Sequence, residues 1–277
     1  MSPSVSVIIP TYNRGEWTLR AVDSVLGQTF QDFEIWLVDD GSDERHRNIL
    51  RPLADHSQIH YQETKNRGVS AARNLAITQS QSPLIALLDS DDVWVEDKLQ
   101  RQVEFLENHP QIPLVHGEEI WWRNGKRVNP MKKHQKSGGD VFADSLKLCC
   151  ISPSATLMRR ELLDEVGLFR EDFPACEDYD LWLRITQKYL VGFLQDPVVH
   201  KYGGHEDQLS RKYKAMDYWR VIAMNDLYHK AHLQAEQKDL LLKELKQKTS
   251  ILLQGYRKHQ NLKTYDAVFK IWSSIQN

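Results

Sequence analysis

The sequence predicts an α/β fold: a mostly parallel sheet flanked by helices, followed by a C-terminal helical extension. Three observations carry this. From Val5 to Leu88, short β-branched or apolar runs alternate with segments of helical periodicity, the signature of strand–helix–strand units. Several of these runs are apolar at successive positions rather than alternating, as in strands covered on both faces. From about Tyr213 onward Leu, Lys, Gln and Ala dominate, and Leu240, Leu241, Leu245, Ile251 and Leu252 keep a helical spacing. The expected division is a sheet-bearing unit over 1–210 and a helical extension over 211–277.

The elements follow in order. Val5 to Pro10 reads as a strand that ends in Thr11-Tyr12-Asn13-Arg14-Gly15. Trp17, Leu19, Ala21, Val22, Val25 and Leu26 mark the helix after it. Phe33 to Val38 is a second strand, ending in Asp39-Asp40-Gly41-Ser42, and residues 43–54 read as helix. Ile59 to Gln62 is a third strand, and Gly68 to Gln79 a strongly helical stretch. Leu84 to Leu88, bounded by Pro83, is an unbroken apolar run that leads straight into Asp89-Ser90-Asp91-Asp92. Ile112 to Trp122 reads as a strand, with Asn124-Gly125 as a hairpin turn. Residues 129–140 are basic and glycine-containing, and read as a mobile surface loop. Ser154 to Arg159 is expected to be a strand. Glu177, Asp178 and Asp180 crowd the start of an amphipathic helix carrying Leu181, Leu183 and Ile185. Val191 to His200 is the last strand, and helices are expected over 213–233 and 235–275.

Composition bounds the function. The chain has 277 residues, is 41% hydrophobic and carries a formal net charge of −2, so nucleic acid is not an expected partner. Cys149, Cys150 and Cys176 show no metal-ligand spacing, and their odd number suggests a reducing compartment. The N-terminal residues lack a basic and then apolar leader pattern, and no apolar run approaches the length of a membrane span. A cytoplasmic location is expected. Residues 206–277 hold 13 Lys+Arg against 8 Asp+Glu, a balance of +5; the first 205 hold 23 against 30, or −7. The preferred reading of the basic extension is a helical cap on the domain. A peripheral membrane contact and a homodimer element are the alternatives.

The polar strand ends carry the functional argument. Open parallel sheets bind ligands at the carboxyl ends of their strands, so the groups after Pro10, Val38 and Leu88 should converge on one edge. Asp89 and Asp91 lie two apart and project to the same side of extended backbone. Like charges so close are costly without a cation between them, and the oxygen donors suit Mg²⁺ or Mn²⁺. A solvated acidic turn with Asp92 as N-cap is the alternative. Tyr12 offers an aromatic face for a base, and Asp39 an acceptor for a base imide or ribose hydroxyl. Arg14 and Arg73 can offset diphosphate charge. The glycine fingerprint of dinucleotide folds is absent after the first strand, as is a P-loop, which argues against NAD and against ATP hydrolysis. Acids at a helix N-terminus can be simple dipole partners, or can supply a general base.

Four segments carry a resemblance: Val-Ser-Val-Ile-Ile-Pro-Thr-Tyr-Asn-Arg, Leu-Val-Asp-Asp-Gly-Ser-Asp, Asn-Arg-Gly-Val-Ser-Ala-Ala-Arg-Asn and Leu-Asp-Ser-Asp-Asp-Val-Trp. In this order and spacing they resemble the signatures of family 2 glycosyltransferases, and the likeness covers about residues 4–205. It implies a GT-A fold, a nucleoside-diphosphate sugar donor and inversion at the anomeric carbon. By the same likeness Asp91 holds the metal, Asp89 faces the ribose or the metal, and Asp39 takes the base beside Thr11 and Tyr12. Pro10, Arg14, Arg73, Ser90 and Glu177 complete the expected nucleotide-sugar contacts, and the resemblance implies that the Glu177-Asp178 pair supplies the catalytic base, with Asp178 as the residue chosen for it. His205, in a His-x-x-Gln-x-Ser setting, resembles a position that reaches back to the metal or diphosphate; a structural role is the alternative. Uridine is the favoured base, though guanosine and deoxythymidine fit the same residues. The expected acceptor is a glycan or lipid-linked hydroxyl, in polysaccharide or glycolipid assembly. A nucleotidyltransferase and a non-catalytic sugar-nucleotide-binding module are the alternative functions.

Overall fold

The computed structural model describes residues 3–129, 131, 134–204 and 216–276. Strands β1 (Val5–Thr11), β2 (Phe33–Asp39), β3 (Ile59–Glu63) and β4 (Leu84–Leu87) pair in the order β3-β2-β1-β4, all parallel. Between them run α1 (Gly15–Leu26), α2 (Glu44–Leu50) and α3 (Val69–Gln79). Every residue of β1 is buried, as its unbroken apolar run requires. The period-2 alternation of the strands sorts them into two layers. Val7, Ile9, Ile35 and Leu37 pack with Ala21, Val22 and Val25 of α1 on one face. Ile8, Val38, Ile85 and Leu87 pack with Ala72, Ala76 and Ile77 of α3 on the other.

The rest of the sheet is mixed. It comprises β5 (Val93–Trp94), β6 (Leu114–Arg123), β7 (Lys126–Val128), β8 (Leu157–Arg159) and β9 (Gly192–Gly203). β8 joins β4 antiparallel and continues the order as β8-β6-β9-β5, with β7 folded back on β6. The Asn124-Gly125 turn forms as expected, both residues at positive φ, 50° and 74°. Parallel pairing is thus complete only in the first four strands, the half that presents the polar strand ends. The predicted strand 154–159 is shorter than expected, because Pro153–Ala155 forms a 3-10 turn with Pro153 at its start.

Three helices fall outside the predicted set: α4 (Lys98–Asn108), α5 (Phe142–Lys147) and α6 (Arg160–Val166). α4 buries Leu99, Gln102, Val103 and Leu106, a helical spacing already present in the sequence. α7 (Glu177–Thr186) starts at the acid cluster as predicted. The extension forms α8 (Asp217–Lys230), α9 (Ala235–Lys258) and α10 (Leu262–Ser274). One helix over 235–275 is not what forms. Gln260 takes a left-handed φ of 55°, and Asn261 restarts the chain as an N-cap, accepting from the Thr264 N–H. The extension packs its apolar faces on the domain: Val221, Met224, Leu241, Leu245 and Val268 share one cluster with Phe142, Leu146, Tyr179 and Leu183. The expected boundary at 210/211 and the predicted ligand His205 lie outside the described residues.

β6 and β9 carry the second half of the sheet up to the site, and their fit depends on Gly117. A Cβ there would sit 2.6 Å from Cγ1 and 2.9 Å from Cγ2 of Val198, a fully buried β9 side chain. Gly117→Ala is therefore expected to lower stability by about 1–3 kcal/mol, the range for overpacking a filled core. A urea-denaturation midpoint equal to the parent's would show that β9 moves aside without cost.

Candidate active site

The three polar strand ends meet as predicted. Thr11 and Asp39 are register partners at the carboxyl ends of β1 and β2. The Leu88 N–H donates to the Ile8 carbonyl at 3.0 Å and so prolongs the β1–β4 pairing, placing Asp89 to Asp92 on the same edge. Pro10 and Thr11 are buried at this edge, and the Thr11 hydroxyl pairs with Thr18 at 2.7 Å. Tyr12 is half-exposed, its ring at the rim. Asp39 is buried completely. Its carboxylate accepts from the Ser42 N–H at 2.7 Å and the Tyr61 hydroxyl at 3.3 Å.

Residues that the sequence reading did not assign to the site shape this edge. Asn13, at φ 54°, laces the first strand end to the second. Its N–H donates to Ser42 Oγ at 2.8 Å, and its side-chain oxygen accepts from the Asp43 N–H at 2.7 Å. Asp40 accepts from the backbone N–H groups of Arg67 and Gly68, both at 2.8 Å, and so fixes the start of α3. Burial raises the Asp40 carboxyl above its ordinary range despite those donors. Gly41 sits at φ +82°, where a Cβ would lie 2.6 Å from the Asn66 nitrogen. The Asp-Asp-Gly-Ser stretch is thus a turn whose acids face inward onto backbone donors.

Arg73 on α3 links two regions far apart in sequence. It is 3% exposed. One guanidinium nitrogen donates to Glu177 Oε1 at 2.8 Å, the other to Asp89 Oδ1 at 2.7 Å. The Phe169 ring lies under the guanidinium at 5.0 Å. Burial alone would lower the Arg73 pKa, but Asp89 and Glu177 outweigh it and keep the group charged. Burial, together with the neighbouring Asp178 charge, raises the Glu177 carboxyl against the pull of Arg73. Arg14 pairs with Asp91 at 2.8 Å, with both side chains less than a fifth exposed. Each of the two spaced acids after β4 therefore faces an arginine.

Ser90 and Asp92 lie inside this turn, both buried. Asp92 is not the helix cap of the alternative reading. It accepts from Ser154 Oγ at 2.6 Å and from the Tyr202 N–H at 3.0 Å, clamping the end of β9 to the acidic turn. Burial lifts its carboxyl, while Lys201 pulls the other way. Ser154 also accepts from the Asp89 N–H at 3.1 Å.

Asp178 stands at the first turn of α7, beside Glu177. Its Oδ1 accepts from the Tyr179 N–H at 2.7 Å and its Oδ2 from the Cys149 thiol at 3.3 Å. Burial, reinforced by the Asp178 charge, raises the Cys149 pKa, so the thiol stays protonated and acts as a donor. Asp180 points elsewhere: it is buried and bridged by Arg184 at 2.9 Å. Cys176 is a packing residue, as expected; it is buried at φ 63°, and burial pushes its thiol up to about 12. The loop expected to be mobile is pinned at its far end. Lys136 is buried, pairs with Glu119 at 3.0 Å and donates to the Cys150 carbonyl at 3.1 Å. Gly139 bridges to Val191.

Among the described residues no group of three or more His, Cys, Asp and Glu is arranged to hold a metal ion. The oxygen donors on the edge are Asp89 and Asp91. That set fits a divalent cation that completes its shell with substrate oxygens, the usual habit of Mg²⁺, rather than one caged by protein alone.

The comparisons agree with this architecture. The model of Glycosyl transferase family 2 matches residues 6–167. An uncharacterized glycosyltransferase of Rickettsia bellii is 36% identical over 188 residues, which cover 68% of this chain and 27% of that protein. The chain thus spans less than a third of the length of the first relatives it matches. The UDP-Glc:alpha-D-GlcNAc-diphosphoundecaprenol beta-1,3-glucosyltransferase WfaP of Escherichia coli is 31% identical over 189 residues, 66% of this chain and 70% of that one. Among solved structures, S. aureus TarS 1-349 in complex with UDP-GlcNAc superposes with a TM-score of 0.68 over 98% of this chain and 92% of that one. At 17% identity, that likeness speaks for the fold, which is GT-A. With the family model covering more than half of its length, and with four signatures brought to one sheet edge, the chain belongs to glycosyl transferase family 2.

Proposed function

We propose that this chain transfers a sugar, with inversion, from a nucleoside-diphosphate donor to an acceptor hydroxyl. The observation that carries the reading is the Arg73 bridge. It joins the acidic strand end to the start of α7, so the turn that carries Asp91 and the helix turn that carries Asp178 are tied through one guanidinium. The donor is placed on the strand edge, with its base between Tyr12 and Asp39. Asp39 has acceptor capacity beyond its two present bonds. Pro10, Thr11 and Ser90 line that edge. A UDP-sugar is the favoured donor, as the names of the glucosyltransferase relative and of the solved complex both specify UDP. The first of those names also specifies a diphosphate-linked lipid acceptor, which supports a lipid-linked or glycan hydroxyl in glycolipid or polysaccharide assembly.

The step is a single displacement. The acceptor oxygen attacks the anomeric carbon, its bond to that carbon forms, and the bond to the diphosphate oxygen breaks and leaves its electron pair there. Asp178 takes the hydroxyl proton. Its carboxylate is oriented by the Tyr179 N–H and the Cys149 thiol. Glu177 is committed to Arg73 and holds the start of α7 in place. Mn²⁺ or Mg²⁺ bound with the diphosphate would neutralise charge growing on the leaving group. Asp91 would hold it, with Asp89 beside it and His205 as a further candidate. Arg14, beside Asp91, would offset diphosphate charge there.

Three measurements test this. Asp178→Asn keeps the shape and removes the base; transfer should fall roughly 10²–10⁴-fold with donor affinity within a few-fold of the parent, and near-parental transfer would remove Asp178 from the role. Asp91→Asn should abolish most of the Mn²⁺ dependence of nucleoside-diphosphate binding in titration calorimetry, with an unchanged thermal midpoint. If the dependence survives, another residue is the ligand. Arg73→Met should destabilise the fold by about 3–5 kcal/mol, because two carboxylates then lose a buried partner. A chemical-denaturation curve overlying the parent's would show that the bridge holds nothing.

A further inference from the structure

Packing on the domain leaves part of the extension's apolar surface uncovered, with Leu253 and Tyr265 at the boundary, partly buried against the cap cluster. Val268 and Ile275 of the α10 region are buried against the cap cluster. On the other side Leu262 is 67% exposed and Phe269 43%. Tyr265, Phe269 and Trp272 recur at helical spacing and stack in series, with ring centroids 5.8 and 5.9 Å apart. Together with Leu253, Arg257 and Lys258 of α9 they line a groove of about 430 Å³. Arg257 donates to the Tyr265 hydroxyl at 3.0 Å, which seats a cation within the aromatic row, and Lys258 is exposed beside it.

Charge follows the same pattern. Residues 245–276 contain six Lys+Arg against a single acid, Asp266; Lys248 is turned to the domain, paired with Asp217 at 3.4 Å, and the exposed Arg257, Lys258 and Lys270 carry the charge of this surface. This segment alone equals the +5 balance of the whole 206–277 stretch. Two faces so charged would repel across a two-fold axis, which disfavours self-association through this surface. Aromatic and aliphatic side chains flanked by basic ones are what a helix lying in a bilayer interface presents. No helix among the described residues is long and apolar enough to cross a membrane, so insertion would be shallow.

We infer that the outer face of the α9–α10 hairpin docks on an anionic lipid surface. Leu262, Phe269 and Trp272 enter the headgroup boundary, and Arg257, Lys258 and Lys270 meet the phosphates. The inference does not depend on the transfer reaction, since it concerns a surface that the site does not use.

Co-sedimentation of the full chain with lipid vesicles tests it. The chain should pellet with vesicles of phosphatidylcholine and phosphatidylglycerol mixed three to one, and far less with phosphatidylcholine alone. Raising the salt should weaken the binding, as screening demands. Each basic residue at an anionic surface is worth about five-fold in partition, so Arg257→Gln with Lys258→Gln should lower it roughly 25-fold. Phe269→Gln should lower it roughly 10-fold by removing buried apolar area. These positions are exposed, so the thermal midpoint serves as the control for folding. Equal binding to both vesicle types, no binding to either, or parental binding by both variants would overturn the inference. So would a concentration-dependent dimer that Phe269→Gln abolishes while vesicles go unbound.

Discussion

Much of the site depends on one buried guanidinium. Arg73 is held by two carboxylates separated from it by 16 and 104 residues, and is almost shielded from water. A lone buried charge of this kind would be prohibitive, and each buried acid would tend to neutralise. Together they are tolerable because a planar fork can serve two acceptors at once with little loss of freedom. Lysine, a point charge on a flexible stem, could not span the same gap with two directed bonds. The bridge thereby fixes the distance between the acidic turn after β4 and the first turn of α7, and so the relation between Asp89 and Asp178.

Around that bridge the acids divide into two kinds. Asp40, Asp92 and Asp180 face inward and are spent on backbone donors, a hydroxyl or an arginine. They hold loops. Asp89, Asp91 and Asp178 retain some exposure and face partners that a ligand could displace or share. Sequence spacing does not separate these kinds, since Asp91 and Asp92 are adjacent. What separates them is the turn: Asp92 points under Ser154 and toward Tyr202, while Asp91 points out to Arg14.

This explains how much could be read in advance. The strands of the parallel half were legible because doubly covered strands are apolar at successive positions and end abruptly in acids. The convergence of Thr11, Asp39 and Asp89 followed from parallel pairing alone. The Arg73 bridge was not legible; the sequence suggested a diphosphate partner, and only the fold brings Glu177 and Asp89 to the same cation. Lys136 looked like one more charge on a surface loop until its burial against Glu119 appeared. The strand expected from Ser154 gives way to a tight turn because Pro153 starts it, and the same turn frees Ser154 to bind Asp89 and Asp92. The break between α9 and α10 rests on a left-handed Gln260, a conformation that glycine would have announced and glutamine does not.

The charge pattern of the edge then constrains what can bind there. Among the described residues, a diphosphate approaching Asp89 and Asp91 meets carboxylates whose arginines are already engaged: Arg73 is buried between Asp89 and Glu177, and Arg14 pairs with Asp91. Positive charge arriving with the anion, or a change of partner by Arg14, would favour an anion in such a place. On the proposed reading the two changes would be linked: a divalent cation on Asp91 would lessen the need for Arg14 there, and the guanidinium would then add positive charge for the diphosphate. On the proposed reading, the same two acids that disfavour an anion at the empty edge would favour one at the loaded edge, and would tie donor binding to the arrival of the cation.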